Sequence, residues 1–379
     1  MDEVTRCIRC VMDDSSDGKI KFDANGYCNY CSNAFARKAD YYFPNEIGEK
    51  KLNDLLKKIK EEGKNREYDC LMGISGGLDS SYLLYLGYKW GLRILCVHID
   101  DSFDSDISKK NIEKLMRATG YTFVSVIPDE KQYFGLLKAY MRASVPNLDT
   151  PQDSVLFATL YRYIEEKGIK YFLSGGNYAL ECILQSGHSS KDLTNLKDIN
   201  RKYGEQPLNN LCLISNNGKK RIEKKIGVET VMPLNFINYN RDMALKELSD
   251  FCEFEYYGRK HLENKFTAFV QLYWLPNRFR IDKRTSHLSS MIVSGQLTRD
   301  EALEILDEPL YNANEMDKII DEIKIKLEIS DEEYDSIMTS MTRKHTDFKT
   351  SKLVKALYWK SRLMNIPRKV TRLFKNRYK

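Results

Sequence analysis

The feature that most constrains this chain is a strand, a glycine turn and a helix in unbroken succession. Residues 68–74 are apolar and rich in strand formers, and they run straight into Ser75-Gly76-Gly77-Leu78-Asp79-Ser80-Ser81. The helix-like run Tyr82-Leu83-Leu84-Tyr85-Leu86 follows. Glycines let backbone N–H groups approach an anion, and a helix N-terminus adds a favourable dipole. Ser75, Ser80 and Ser81 supply hydroxyl donors. Asp79 puts a carboxylate where a bound polyphosphate needs Mg²⁺. No Gly-Lys-Ser/Thr follows, so this is not a Walker A loop, and the G-x-G-x-x-G spacing of dinucleotide folds is missing. A plain turn between strand and helix is the bland alternative.

Four more short apolar segments, at residues 93–99, 122–127, 170–174 and 227–232, read as strands. Helical segments between the earlier ones predict βαβ units, hence an α/β fold with a doubly wound, mostly parallel sheet. Ligands bind such sheets at the carboxyl ends of strands. The second strand ends in Val97-His98-Ile99-Asp100-Asp101, and the fourth in Leu173-Ser174-Gly175-Gly176-Asn177. Gly175 and Gly176 again expose backbone N–H groups. Asn177 and Glu181 are placed to touch an acceptor or a nucleotide, or simply to start a helix. His98 inside a strand is ordinarily a packed residue, and Asp100 ordinarily a helix cap.

Cysteine spacing organises the N-terminus. Cys7-x2-Cys10 and Cys28-x2-Cys31 read as a four-thiolate zinc site rather than a redox pair or disulfides. Four protein ligands leave no open position, so the metal is expected to be structural. Residues 1–45 are short of large apolar side chains and need such a staple. We therefore expect a zinc ribbon at 1–45, a nucleotide domain at 46–240 and a helical region at 241–379. Residues 291–305 and 317–327 read as amphipathic helices. The polar stretch 187–225 reads as a long loop, a lid over the site or a mobile insertion.

Charge is uneven along the chain. From Met341 onward there are 13 Lys/Arg and one acid, whereas the whole chain carries only +6, so the remainder is net acidic. Nucleic-acid binding over the whole surface is therefore not expected. The tail 344–379 also carries apolar and aromatic residues, which suits a helix on a partner or an anionic membrane surface, or one covering the chain's own core. No run of 18 apolar residues appears, and Met1-Asp2-Glu3 begins no apolar leader, so a cytoplasmic location is expected.

The loop Ser75-Gly76-Gly77-Leu78-Asp79-Ser80 resembles the PP-loop of the ATP pyrophosphatase superfamily. The longer pattern resembles the N-acetyl sugar amidotransferase family within it. The opening Cys-x2-Cys-Val-Met-Asp and Phe22-Asp23-x-x-Gly26-x-Cys28-x-Tyr30-Cys31 carry this resemblance. So do His261-Leu262-Glu263-Asn264-Lys265-Phe266-Thr267 and Phe279-x-Ile281-Asp282-Lys283-Arg284. His287-Leu288-Ser289-Ser290 and Ser294-Gly295-Gln296-x-Thr298-Arg299 complete it, so that it spans roughly residues 4–310.

The resemblance implies an adenine nucleotide alpha-hydrolase-like fold and ATP cleavage to AMP and pyrophosphate. Ser75, Gly76, Gly77, Asp79, Ser80 and Ser81 would hold the pyrophosphate, with Gly175 and Gly176 nearby. His98 and Asp100 would meet the adenosine. An N-acetyl oxygen of a nucleotide-linked acetamido sugar, or of a nonulosonate precursor, would be adenylated and then replaced by ammonia. Asn177, Glu181, Arg278 and Arg280 are the substrate candidates. Asp79, Lys265, Lys283 and Arg284 are the catalytic ones, since the triphosphate charge must be offset. The alternative for these bases is ordinary surface charge. Such enzymes serve bacterial surface glycans. This chain shows no glutaminase nucleophile, so a separate glutaminase like the histidine-pathway subunit is expected, with a cyclase-like barrel as a possible ammonia channel. A tRNA-thiolating PP-loop enzyme is the nearest rival, and it requires a reactive cysteine. A non-enzymatic nucleotide sensor is the third reading.

Overall fold

Five strands lie within the five expected segments: β1 (Cys70–Gly73), β2 (Ile94–Ile99), β3 (Thr122–Val126), β4 (Tyr171–Leu173) and β5 (Glu229–Val231). All neighbours pair in parallel, in the order β3-β2-β1-β4-β5. The computed structural model describes residues 4–15, 17–185, 192–258 and 262–351.

The chain begins with α1 (Asn29–Tyr41) and α2 (Glu46–Gly63), which precede the sheet. From β1 the chain passes through α3 (Leu78–Lys89) to β2 and through α4 (Asp106–Thr119) to β3. It then returns through α5 (Glu130–Ala143) and α6 (Thr150–Lys167) to β4, on the far side of β1. The winding direction therefore reverses between β1 and β4, and the crevice of a doubly wound sheet opens at that reversal. After β4 come α7 (Tyr178–Glu181), α8 (Leu193–Tyr203), α9 (Asn216–Ile226) and β5.

Alternation along the strands divides the core. Cys70, Met72 and Cys96 pack with Leu83, Leu86 and Leu115 of α3 and α4. Leu71, Leu95, Val97 and Phe172 pack on the other face with Leu160, Ile164 and Ile222 of α6 and α9. The caps are local and legible. Ser105 accepts from the Ser108 N–H at 3.1 Å to start α4, and left-handed Gly120 ends it.

Among the described residues, the regular elements after β5 are helical, and the α-helices are α10 (Arg241–Cys252), α11 (Lys265–Ala268), α12 (Leu275–Phe279), α13 (Arg284–Ser294), α14 (Arg299–Asp307), α15 (Ala313–Lys326) and α16 (Asp331–Thr339). A π-helical turn at Phe269–Trp274 joins α11 to α12. Side chains of α5, α8, α15 and α16 share a second core with Phe266, Phe269 and Trp274. An antiparallel bridge between Asp104 and Asn264 stitches this region to the end of β2. The buried Asp101 carboxylate reinforces it, accepting from Asn264 at 2.9 Å, Gln152 at 2.7 Å and Tyr133 at 3.0 Å.

Two expectations are corrected here. The single helix expected at 291–305 is two helices, because Gly295 adopts φ 90° and closes α13. Thr298 and Glu301 then form a capping box that opens α14. The polar stretch 187–225 is not one loop. Its described part contains α8 and α9, and Leu196 and Ile199 are fully buried. Its polar character is structural: Asn195 donates to the carbonyls of His345 and Lys349, at 3.0 and 3.2 Å. Asp198 accepts from the Lys349 N–H at 3.0 Å, which strings residues 345–349 along α8. Residues 187–191, His261 and residues 352–379 of the basic tail lie outside the described residues. Among the described residues, no helix is long and apolar enough to cross a membrane.

Candidate active site

Gly76 sits at φ 72°, and a Cβ there would press well inside van der Waals contact of the Ser108 carbonyl oxygen. Only glycine fits that backbone. Gly77 occupies the N-cap of α3 but brings no side chain to cap it. A helix start of this kind is a favourable place for an anion. Gly77 N–H donates to Ser75 Oγ at 3.2 Å, and Leu78 N–H to the Tyr257 hydroxyl at 2.9 Å. Ser75 Oγ and Ser80 Oγ lie 3.3 Å apart at the mouth of the loop. Ser81 Oγ is fully buried with no hydrogen-bond partner among the described residues.

The second glycine loop closes the crevice from β4. A Cβ on Gly175 would lie 3.3 Å from the Ser80 nitrogen, so the two glycine loops meet at the start of α3. The resulting cavity of about 190 Å³ is lined by Ser75, Gly77, Asp79, Ser80, Gly175 and Glu181, with Arg241, Tyr257 and Glu263 from the C-terminal region. Asp79 accepts a hydrogen bond from the buried Tyr239 hydroxyl. Burial and the Asp79 charge together push the Tyr239 pKa up, so the phenol stays a donor. Three carboxylates, Asp79, Glu181 and Glu263, thus face a loop built for anions, with Arg241 as the cation in the lining. That combination suits a polyphosphate carrying a divalent cation and disfavours a bare one.

The remaining sequence candidates are distributed differently. His98 has both ring nitrogens engaged: Nδ1 lies 2.8 Å from the Ile74 carbonyl and Nε2 2.9 Å from Asp104. It leaves no nitrogen for adenosine, and the packed reading describes it. Asp100 accepts from the Ser102 N–H at 3.1 Å in a local turn. Asn177 caps α7 by accepting from Leu180 N–H at 2.9 Å, and its side chain is buried.

None of the five candidate bases, the catalytic Lys265, Lys283 and Arg284 and the substrate candidates Arg278 and Arg280, lines the loop cavity. Lys265 pairs with Glu322 at 2.6 Å. Arg284 donates to carbonyls of Ile305, Leu306 and Glu308 while pairing with Asp282 at 2.8 Å, and so closes α14. Arg278 clamps two helix ends, donating to Ser144 Oγ at α5 and to the Met338 and Ser340 carbonyls at α16. Arg280 is the exposed left-handed residue that ends α12. Burial pushes the Lys283 pKa down, against the raising fields of Asp149 and Asp17. The C-termini of helices leave orphan carbonyls, and arginine near them is drawn there first. Arg241, Tyr239 and Tyr257 went unseen because they belong to no motif. The Asn240 cap before an Arg-headed helix was the available signal.

Two expected results follow from these placements. Arg278→Ala should cost about 1.5–3 kcal/mol of stability, the worth of hydrogen bonds to a charged group, with ATP affinity unchanged. Chemical denaturation and an ATP titration check it, and weakened ATP binding at full stability would refute it. For His98, burial disfavours the charged ring, but Asp104 and the Ile74 carbonyl outweigh it and raise the pKa. The stabilisation is complete below the unfolded value of about 6.5 and is lost as pH rises through the raised folded value. Denaturation should show the advantage of the unaltered chain over His98→Gln shrinking between pH 6 and pH 9.

At the N-terminus the sulfur atoms of Cys7, Cys10, Cys28 and Cys31 all lie within 4.8 Å of one another and are buried. Backbone N–H groups of Cys10, Cys28 and Cys31 point at cysteine sulfurs at 3.2–3.5 Å. The Arg9 guanidinium lies 3.2 Å from Cys31 Sγ. Closely grouped thiols with N–H and guanidinium donors fit a tetrahedral metal, since the donors offset thiolate charge. Arg299 donates to the carbonyls of Cys7 and Cys10, so α14 carries the knuckle.

The sheet order and the glycine turn before α3 together define a class, that of doubly wound α/β proteins, with a loop that resembles the PP-loop. More particularly, residues 263–364 match the family model described as LPS biosynthesis protein WbpG-like, C-terminal domain. That stretch begins at Glu263 in the loop cavity. No curated protein matches the chain. Among solved structures it is similar to an NMN synthetase from Francisella tularensis (13% identity, 80% of this chain and 94% of that one, TM-score 0.32). It is likewise similar to an NH3-dependent NAD synthetase from Campylobacter jejuni (16%, 54% and 84%, TM-score 0.29). A third is the U34-tRNA thiolase NcsA from Methanococcus maripaludis with its 4Fe-4S cluster (15%, 82% and 91%, TM-score 0.33).

Proposed function

We propose that this chain is an ATP-dependent amidotransferase of surface-glycan biosynthesis, acting on the acetamido group of a nucleotide-linked sugar. The observation that carries the reading is the glycine N-cap at the start of α3, faced by the second glycine loop at the reversal of the sheet. The match of residues 263–364 to a WbpG-like lipopolysaccharide-biosynthesis domain supports the glycan context.

The β,γ-pyrophosphate of ATP binds the Ser75–Ser81 backbone and hydroxyls. The Asp79 carboxylate would hold Mg²⁺, which would supply charge neutralisation for the departing pyrophosphate. The acetamido oxygen attacks the α-phosphorus, and pyrophosphate leaves. Ammonia then adds to the activated carbon, AMP departs with the former carbonyl oxygen, and a proton is released to give the acetamidine. Amide oxygen is a poor leaving group until adenylated, so positioning and charge neutralisation are the protein's contributions. A separate glutaminase supplies the ammonia.

The thiolation reading needs a reactive thiolate, and the structure offers little support for one near the loops. Burial pushes the Cys182 thiol up to about 11. Cys96 is raised to about 12 by the same cause. Thiols of that kind are inert at neutral pH.

The test is an assay with ATP, Mg²⁺, ammonium and a panel of nucleotide-linked diacetamido sugars carrying ¹⁸O in the acetamido group. Transfer of the label to AMP, together with replacement of one sugar oxygen by NH, is the expected result. AMP release only with tRNA and a sulfur donor would overturn it. Strong glutamine-dependent turnover by the isolated chain would overturn the separate glutaminase.

A further inference from the structure

A larger cavity, of about 640 Å³, opens beside the loop site, between α1 of the cysteine module and the carboxyl ends of β4 and β5. Its volume lies within the range of about 300–1,000 Å³ that is ordinary for small-molecule sites. The two cavities share Glu181, and Ser174 and Gly176 of the second glycine loop line the larger one. Its walls include Tyr30 and Tyr41 of α1 and Tyr161 and Phe172 from α6 and β4.

Two cations enter it from different elements. The Arg37 guanidinium of α1 lies 4.6 Å from the centre of the Tyr41 ring. The Lys219 ammonium of α9 lies 4.7 Å from the centre of the Tyr161 ring. Both line the cavity. Lys219 also lies 3.7 Å from Glu223, a loose pair that a diphosphate would compete with. Flat aromatic walls take a base or a sugar face, and cations in such a cavity take a diphosphate. The opposite end, at Glu181 and the glycine loop, adjoins the ATP phosphates as proposed above.

From this we infer that the cavity is the acceptor site, taking a nucleoside-diphosphate sugar with its diphosphate at Arg37 and Lys219. The cysteine module is thereby a substrate-binding wall as well as a staple. Its metal would act through α1: Cys28 caps that helix, Cys31 lies in its first turn, and Tyr30 is held by Asp17 at 2.5 Å. This inference rests on the amidotransferase reading for the identity of the sugar.

Calorimetric titration of the metal-loaded full chain with UDP-N-acetylglucosamine tests it. Arg37→Ala and Lys219→Ala should each weaken the probe by about 10–100-fold, the effect expected from losing a hydrogen bond to a charged group. Asn33→Trp, on the exposed face of α1 that lines the cavity, should exclude the probe by filling space. ATP affinity, metal content and melting temperature should stay within error in all three. Unchanged probe binding in the variants would overturn the inference, as would equal loss of ATP and probe, which would place ATP in this cavity. Failure of the unaltered chain to bind the probe overturns it too. The ¹⁸O assay separates the two levels: label transfer with unaltered probe binding in the variants leaves the amidotransferase standing and removes only this site.

Discussion

Asp79→Asn should lower AMP formation by about 10²–10³-fold, the size of effect seen when one group that stabilises transition-state charge is removed. The substitution keeps the shape of the side chain and an oxygen that can accept from Tyr239. It removes only the charge that would hold Mg²⁺ against the pyrophosphate. The melting temperature should therefore hardly move, and the Mg²⁺ concentration needed for half-maximal rate should rise at least tenfold. Rates of pyrophosphate release across a Mg²⁺ series read both quantities. A rate within twofold of the unaltered chain would remove Asp79 from the mechanism. Gly76→Ala makes the structural contrast. It strains a left-handed backbone and drives a methyl into the Ser108 carbonyl, so it should abolish nucleotide binding rather than slow the chemistry.

The second large effect concerns the metal. A zinc ion held by the cysteine cluster should be lost almost entirely in Cys28→Ser, because Cys28 is one of four clustered thiols and also the N-cap of α1. Removing a partner outside the ligand set typically costs 10–100-fold in metal affinity, so losing a ligand should exceed about 100-fold. Metal binding of this kind is folding free energy. The melting temperature should fall, and the contacts from Arg299 and Ser289 to residues 7–11 should loosen with it. Metal analysis after gel filtration, with Cys252→Ser as the control outside the cluster, checks it. Full zinc content in Cys28→Ser would show that the cluster is held some other way.

What was legible in the sequence has a local cause. A glycine pair between an apolar strand and a helix is read within a dozen residues, and so are the Cys-x2-Cys knuckles. All five strands fell within the segments expected for them; β1, β2 and β4 are buried and demand apolar runs, whereas the edge strands β3 and β5 are half-exposed and were read from their β-branched residues. The polar stretch after residue 187 misled for the converse reason. Half of the buried positions of helix α8 are polar, Asn195 and Asp198 beside Leu196 and Ile199, and the two polar ones satisfy the backbone of residues 345–349. Such partners lie some 150 positions away and leave no periodic trace.

Charge was the least legible property. Arg278 and Arg284 read equally well as phosphate clamps or as ordinary surface charge. Only the packing showed the carbonyls at the ends of α14 and α16, and the Ser144 hydroxyl at the end of α5, within their reach. Arg241, Tyr239 and Tyr257 reach the loop from a region with no motif at all.

The sequence by itself determined the phosphate loop, the thiol cluster and the parallel sheet, since each depends on backbone conformation and hydrophobic pattern within a short window. The tertiary structure alone decided which carboxylates and cations face the loop, and that α1 of the cysteine module lines a second cavity beside it. Those facts depend on how distant segments pack, and packing is a property of the assembled core rather than of any stretch of chain.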